Sequence, residues 1–152
     1  MDIGGFSVTS RASPVIARPI NSSVRSNLTK TALAMSSEYW QKWLRWERGR
    51  QLTGYDKLLL LASPYPFPLD CYLLRFPEGS EIPPHRDPVT GRRHYRLNVV
   101  LRRSPTGGDF VCDRPIFDCG RVKLFRSDLC EHSVTKVVGG RRYVLSIGWA
   151  LR

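Results

Sequence analysis

At 152 residues, with 41% hydrophobic and 24% charged side chains, the chain has the size and composition of one globular domain with one core. Its longest apolar block, Leu58 to Ala62, falls far short of the roughly 20 residues a membrane helix needs, so no membrane role is expected. The net charge of +11 favours acidic partners, nucleic acid among them. Neither an RNP-type motif nor a zinc-finger spacing accompanies the charge, and a basic solvated surface also accounts for it.

Residues 1–35 are rich in Ser, Thr and Arg, hold one acid (Asp2) and show no sustained periodicity. Three readings compete: a disordered tail, an organelle transit peptide, or an over-extended reading frame with Met35 as the working start. The folded domain is expected over 36–152. Ser36-Ser37-Glu38 has the capping hydroxyl and early acid of a helix start, and Tyr39, Trp40, Trp43, Leu44 and Trp46 follow at helical spacing among basic residues. The pattern predicts a helix over 38–50 that buries its aromatic stripe against a sheet; a nucleic-acid or membrane surface is the other reading.

From Tyr55 onward the pattern is β. Strands are predicted at Lys57 to Ala62, Cys71 to Phe76, His85 to Asp87, Tyr95 to Arg102 and Asp109 to Cys112. Ile116-Phe117, Arg121 to Phe125, Ser133 to Val138 and Arg142 to Trp149 follow. Short strands punctuated by Gly and Pro turns, with no helix between them, argue for a sandwich or jelly roll. Cys71, Cys112, Cys119 and Cys130 form no CxxC pair and no zinc spacing, as expected of reduced thiols in a cytosolic (cytoplasmic) protein, an organelle remaining open if residues 1–35 are a transit peptide. Cys130 lies two residues before His132 and can share its face.

Within Pro83-Pro84-His85-Arg86-Asp87-Pro88, an extended backbone would point His85 and Asp87 to the same side, where they can grip one ion. Two histidines and one carboxylate leave half an octahedron open on a first-row metal, so a distant third ligand is needed. His132 is the natural candidate. Ten residues later Arg142 opens an apolar alternating run, and its charge would anchor an anionic co-substrate. His-Arg-Asp also occurs in kinase catalytic loops, but Pro88 follows here, without the required Asn or a glycine-rich loop. His94, beside Arg92 and Arg93, reads as a solvated loop residue.

The segment from Leu73 to Trp149 resembles the Fe(II)/2-oxoglutarate-dependent dioxygenases of the prolyl 4-hydroxylase-like type. The resemblance is carried by Arg75-Phe76-Pro77-Glu78-Gly79, the His85/Asp87 motif, Arg96-Leu97-Asn98-Val99-Val100-Leu101 and Gly107-Gly108-Asp109-Phe110. Leu124-Phe125, Glu131-His132-Ser133-Val134 and Gly140-Arg141-Arg142-Tyr143 complete it. It implies a double-stranded β-helix (jelly roll) with one or two N-terminal supporting helices, and Fe(II) held by His85, Asp87 and His132. It also implies 2-oxoglutarate paired through its distal carboxylate with Arg142, and O2-dependent hydroxylation of a protein side chain or small molecule that releases succinate and CO2.

Arg's planar fork suits a carboxylate. Arg142, Val144 and Ser146 share a strand face, so Ser146 can add its hydroxyl to the same carboxylate, while Arg141 points away. Asn98, with Arg96 on its face, needs a partner if it turns inward, and a bound oxo-acid or metal water would supply one. Tyr72 or Phe76 could line the pocket. Halogenating relatives lack the carboxylate that Asp87 supplies. AlkB-type nucleic-acid demethylases carry a second Arg where this chain has Gly148. A nucleic-acid-directed oxygenase and a non-catalytic jelly-roll binding module are the competing readings.

Overall fold

The computed structural model describes residues 42–49, 53–64 and 68–152. Residues 1–41, and with them the three readings of the N-terminal segment, lie outside the described residues.

Every named element is a strand: β1 (Trp46–Arg48), β2 (Asp56–Ser63), β3 (Leu69–Phe76), β4 (Ile82–His85), β5 (Arg93–Arg102), β6 (Thr106–Gly107), β7 (Phe110–Cys112), β8 (Phe117–Cys119), β9 (Val122–Arg126), β10 (His132–Val134), β11 (Val137–Val138) and β12 (Arg142–Leu151). The large sheet runs β1-β2-β3-β12-β5-β9-β8, a smaller one β4-β10-β7, and a two-stranded ribbon joins β11 to β6. All these pairings are antiparallel. The chain is a mainly-β jelly roll, a double-stranded β-helix, as the strand and turn pattern predicts. Phe76, Val100 and Val144 from the large sheet meet Val134 and Val137 from the other two in one core cluster. Burying each such side chain contributes about 1.5–3 kcal/mol.

The helix expected over 38–50 is not what forms at its C-terminal end. Trp46–Arg48 pairs with β2 instead, with Trp46 opposite Leu58. Residues 38–41 and 50 lie outside the described residues. Joining β2 gives backbone partners to a strand edge that would otherwise be bare. Of the expected aromatic stripe, the described Trp43 and Trp46 are exposed: Trp43 donates its indole N–H to the Leu60 carbonyl, and Trp46 lies under the Arg75 guanidinium, 4.4 Å from ring centroid to Cζ.

β12, between β3 and β5, fixes the interior. Along it every second residue is buried: Arg142, Val144, Ser146, Gly148 and Ala150. A core strand normally turns large apolar side chains inward. This one presents a cation, a hydroxyl and small residues, which leave room for a cavity of about 390 Å³ between the sheets.

The expected strand Ser133 to Val138 is divided into β10 and β11, and the turn expected around Ser104 to Gly108 contains β6. Gly107 makes that ribbon possible. It sits at φ +64°, and a Cβ there would fall 2.0 Å from the Lys136 carbonyl oxygen.

Candidate active site

His132 on β10 lies directly opposite His85 on β4 in the antiparallel register. The rings are 4.3 Å apart, tilted by 51°. Asp87 does not reach them as part of a strand, because β4 ends at His85. It lies in the following loop, where its N–H donates to the Ser127 carbonyl at 2.8 Å. Ser127, fully buried, also donates its own N–H to the His94 carbonyl, and its hydroxyl bonds His94 Nδ1 at 2.6 Å. Asp87 is thereby tied to β5.

The donor atoms of His85, Asp87 and His132 all lie within 4.8 Å of one another. Asp87 places one oxygen 3.8 Å from His85 Nε2 and the other 3.9 Å from His132 Nε2. Those separations are too long for hydrogen bonds but short enough for one cation with ligand distances of about 2.0–2.2 Å to bridge. The tautomers follow from the backbone. His85 Nδ1 lies 2.9 Å from the Pro83 carbonyl and His132 Nδ1 lies 3.1 Å from the Cys130 carbonyl. A carbonyl only accepts, so each Nδ1 carries the hydrogen and each Nε2 lone pair faces the shared space. Burial, the largest influence, lowers the His132 pKa below the ordinary histidine value, which keeps it a neutral ligand. The donor set fits a first-row metal.

Arg142 lies on the same cavity, 4% exposed, with its guanidinium over the Phe76 ring at 5.2 Å. Among the described residues no carboxylate comes within ion-pair distance of it. Burial brings its pKa down to about 10, with Asp109 opposing the fall and Arg103 adding to it. Burying a cation with no carboxylate in ion-pair range is costly, and an anion beside it would relieve that cost. Arg141, its neighbour, is exposed.

Ser146 and Asn98 face the cavity, but neither is committed to Arg142. The Ser146 hydroxyl donates to Asn98 Oδ1 at 2.7 Å and accepts from Arg96 Nη1 at 3.0 Å. Asn98 therefore has a protein partner without any ligand. His94 is no solvated loop residue: it sits half-buried in β5 on the cavity wall, its pKa lowered by burial and by Arg96. Tyr72 and Phe76 both line the cavity. Sequence reasoning missed Asp70. It reaches Arg96 across Gly148, whose strand positions pair with both residues. An acid in a strand, two residues from a cavity-lining Tyr72, was the available signal.

No protein-family model and no curated protein matches the sequence. Among solved structures, the chain is similar to a prolyl-4-hydroxylase from Pseudomonas putida at 16% identity, with a TM-score of 0.54, covering 84% of this chain and 87% of that one. It is also similar to KdgF from a Halomonas species at 15% identity, with a TM-score of 0.47, covering 71% and 87%. The first likeness is one of fold, and it fits the jelly roll described above.

Proposed function

We propose that the protein is an Fe(II)- and 2-oxoglutarate-dependent dioxygenase that hydroxylates a C–H bond of a small molecule or a protein side chain, releasing succinate and CO2. One observation carries the reading. A two-histidine, one-carboxylate cluster with both Nε2 atoms presented shares its cavity with a buried arginine that has no carboxylate within ion-pair distance among the described residues. Two histidines and a carboxylate leave coordination positions open for a chelating oxo-acid and O2.

His85, Asp87 and His132 would hold the iron, which with 2-oxoglutarate and O2 supplies the oxidising chemistry. The Pro83 and Cys130 carbonyls fix the two imidazoles, and Ser127 holds the Asp87 backbone. Arg142 would take the distal carboxylate of 2-oxoglutarate through its planar fork. Phe76 and Val144 exclude water from that contact and so strengthen it. Asn98 and Ser146, locked to each other, give the mid-cavity wall a fixed polar face. The carboxylate of Asp87 would take a metal position that a halide would otherwise need, which fits hydroxylation.

The reading is tested by incubating the protein in air with Fe(II) and 2-oxoglutarate and assaying succinate. Turnover lost in Asp87→Ala and His132→Ala, and displaced to much higher 2-oxoglutarate concentration in Arg142→Ala, is the expected result. Equal turnover in all three variants would sink the assignment.

A further inference from the structure

The cavity has a second polar end. On the inner face of the large sheet, Asp70 of β3 and Arg96 of β5 both pair in register with Gly148 of β12. Their side chains meet over that glycine, where a Cβ would lie 2.8 Å from Asp70 Oδ1 and 3.0 Å from Arg96 Nη2. The missing side chain at Gly148 is what lets the acid and the base face each other across the intervening strand. They do so loosely. Arg96 Nη1 and Asp70 Oδ1 are 3.5 Å apart, an ion pair but too long for a good hydrogen bond. Asp70 Oδ1 and Arg96 Nε are each buried, and neither has a hydrogen-bond partner among the described residues.

The rest of each side chain is open to the cavity, Asp70 30% exposed and Arg96 20%, and a loosely paired anion and cation side by side on one wall are the complement of a zwitterion. A ligand with a single charge would leave half of the pair unmatched, and buried unmatched charge opposes binding. A zwitterion adds no net charge and can pair with the exposed parts of both side chains. The pair lines the same cavity as His85, Asp87 and His132. It is also separate from the Arg142 end: Gly148 is six residues along β12 from Arg142, about 20 Å of strand. Of the carboxylates on the cavity wall, Asp87 belongs to the metal cluster and Asp70 does not.

We propose that Asp70 and Arg96 form the recognition site for the primary substrate, and that this substrate is a free α-amino acid, its ammonium on Asp70 and its carboxylate on Arg96. As a statement about substrate this rests on the oxygenase reading; as a binding site it does not.

The test is calorimetric titration of the full chain with each common L-α-amino acid, with and without Mn(II) plus 2-oxoglutarate. Any amino acid that binds is then compared with its decarboxylated amine and its N-acetyl derivative. We expect at least one amino acid to bind, and both derivatives to bind about tenfold or more weakly, since each lacks one charge-assisted hydrogen bond. Asp70→Asn should weaken binding similarly, with Mn(II) affinity and melting temperature retained. Gly148→Ala, whose methyl pushes only against the ends of two side chains, should fold and should also weaken binding. The proposal is overturned if no amino acid binds, if the amine or the acyl acid binds as well as the parent, or if Asp70→Asn binds unchanged. An amino acid that binds in this pattern without any succinate formation supports the site while refuting the oxygenase reading.

Discussion

Replacing Arg142 with Met should make the ligand-free protein more stable while removing its response to 2-oxoglutarate. The fall in the Arg142 pKa to about 10, caused chiefly by burial, corresponds to about 3 kcal/mol of charge-burial cost. Methionine removes that cost and fills similar length. Against it stand the cation–π contact with Phe76, worth about 0.5–2 kcal/mol, and imperfect repacking of up to about 1.5 kcal/mol. The net gain is about 1 kcal/mol, or about 4 °C in melting temperature for a domain of this size. In the parent, 2-oxoglutarate at about 100 times its Kd should add about 2.7 kcal/mol, and in the variant it should add nothing. Differential scanning fluorimetry with Mn(II), with and without 2-oxoglutarate, reads both effects. A variant that melts lower than the parent and still gains stability from 2-oxoglutarate would refute the view of Arg142 as an anion receptor.

Further predictions follow from the same geometry. His132→Ala should weaken Fe(II) or Mn(II) binding more than about 100-fold, because loss of outer partners alone costs about 10–100-fold; competition with a chromophoric chelator measures it. Gly107→Ala should cost more than about 2 kcal/mol in denaturant unfolding, since it combines a positive φ with a clash against backbone. Gly79→Ala, at φ +81° with open space around it, should cost only about 1 kcal/mol. Burial pushes the Asp128 carboxyl up, but hydrogen bonds from the Arg126 guanidinium and the His94 N–H outweigh it and hold the pKa below the ordinary value. A lowered carboxylate stabilises the fold above its unfolded pKa of about 3.9, and that contribution fades as pH falls through the folded value. The melting-temperature gap between parent and Asp128→Asn should therefore be constant near neutral pH and shrink below about pH 4.

The sequence made the jelly roll legible because its strands are short, mostly alternating and punctuated by Gly and Pro. It also pointed to His85, Asp87, His132 and Arg142, which the fold gathers on one cavity, because two of them are close neighbours and the others flank a recognisable turn. The N-terminal aromatic stripe misled for a physical reason. Trp40, Trp43 and Trp46 recur every third residue, a helical spacing, but the hydrogen-bonding demand of the bare β2 edge is not visible in a local window. Asp87 stands beside both histidines, but in a loop pinned by Ser127 rather than on the expected strand. The Asn98–Ser146–Arg96–Asp70 network was the least legible part. It runs across β5, β12 and β3, whose order is not the order of the chain, so no spacing along the sequence reveals it. Besides the acid at Asp70 near Tyr72, Gly148 offered a hint: it is the position on β12 where a side chain would have kept Asp70 and Arg96 apart.

The central claim is that one cavity holds a chelated iron with 2-oxoglutarate reaching to Arg142. Anaerobic titration of the Fe(II)-loaded protein with 2-oxoglutarate tests it most directly, through the weak visible charge-transfer band expected when an oxo-acid chelates iron. The account predicts a saturable band in the parent, no band in His132→Ala, and a band needing far more 2-oxoglutarate in Arg142→Met. Iron-loaded parent protein that shows no band at any concentration, and forms no succinate when air is admitted, would contradict it.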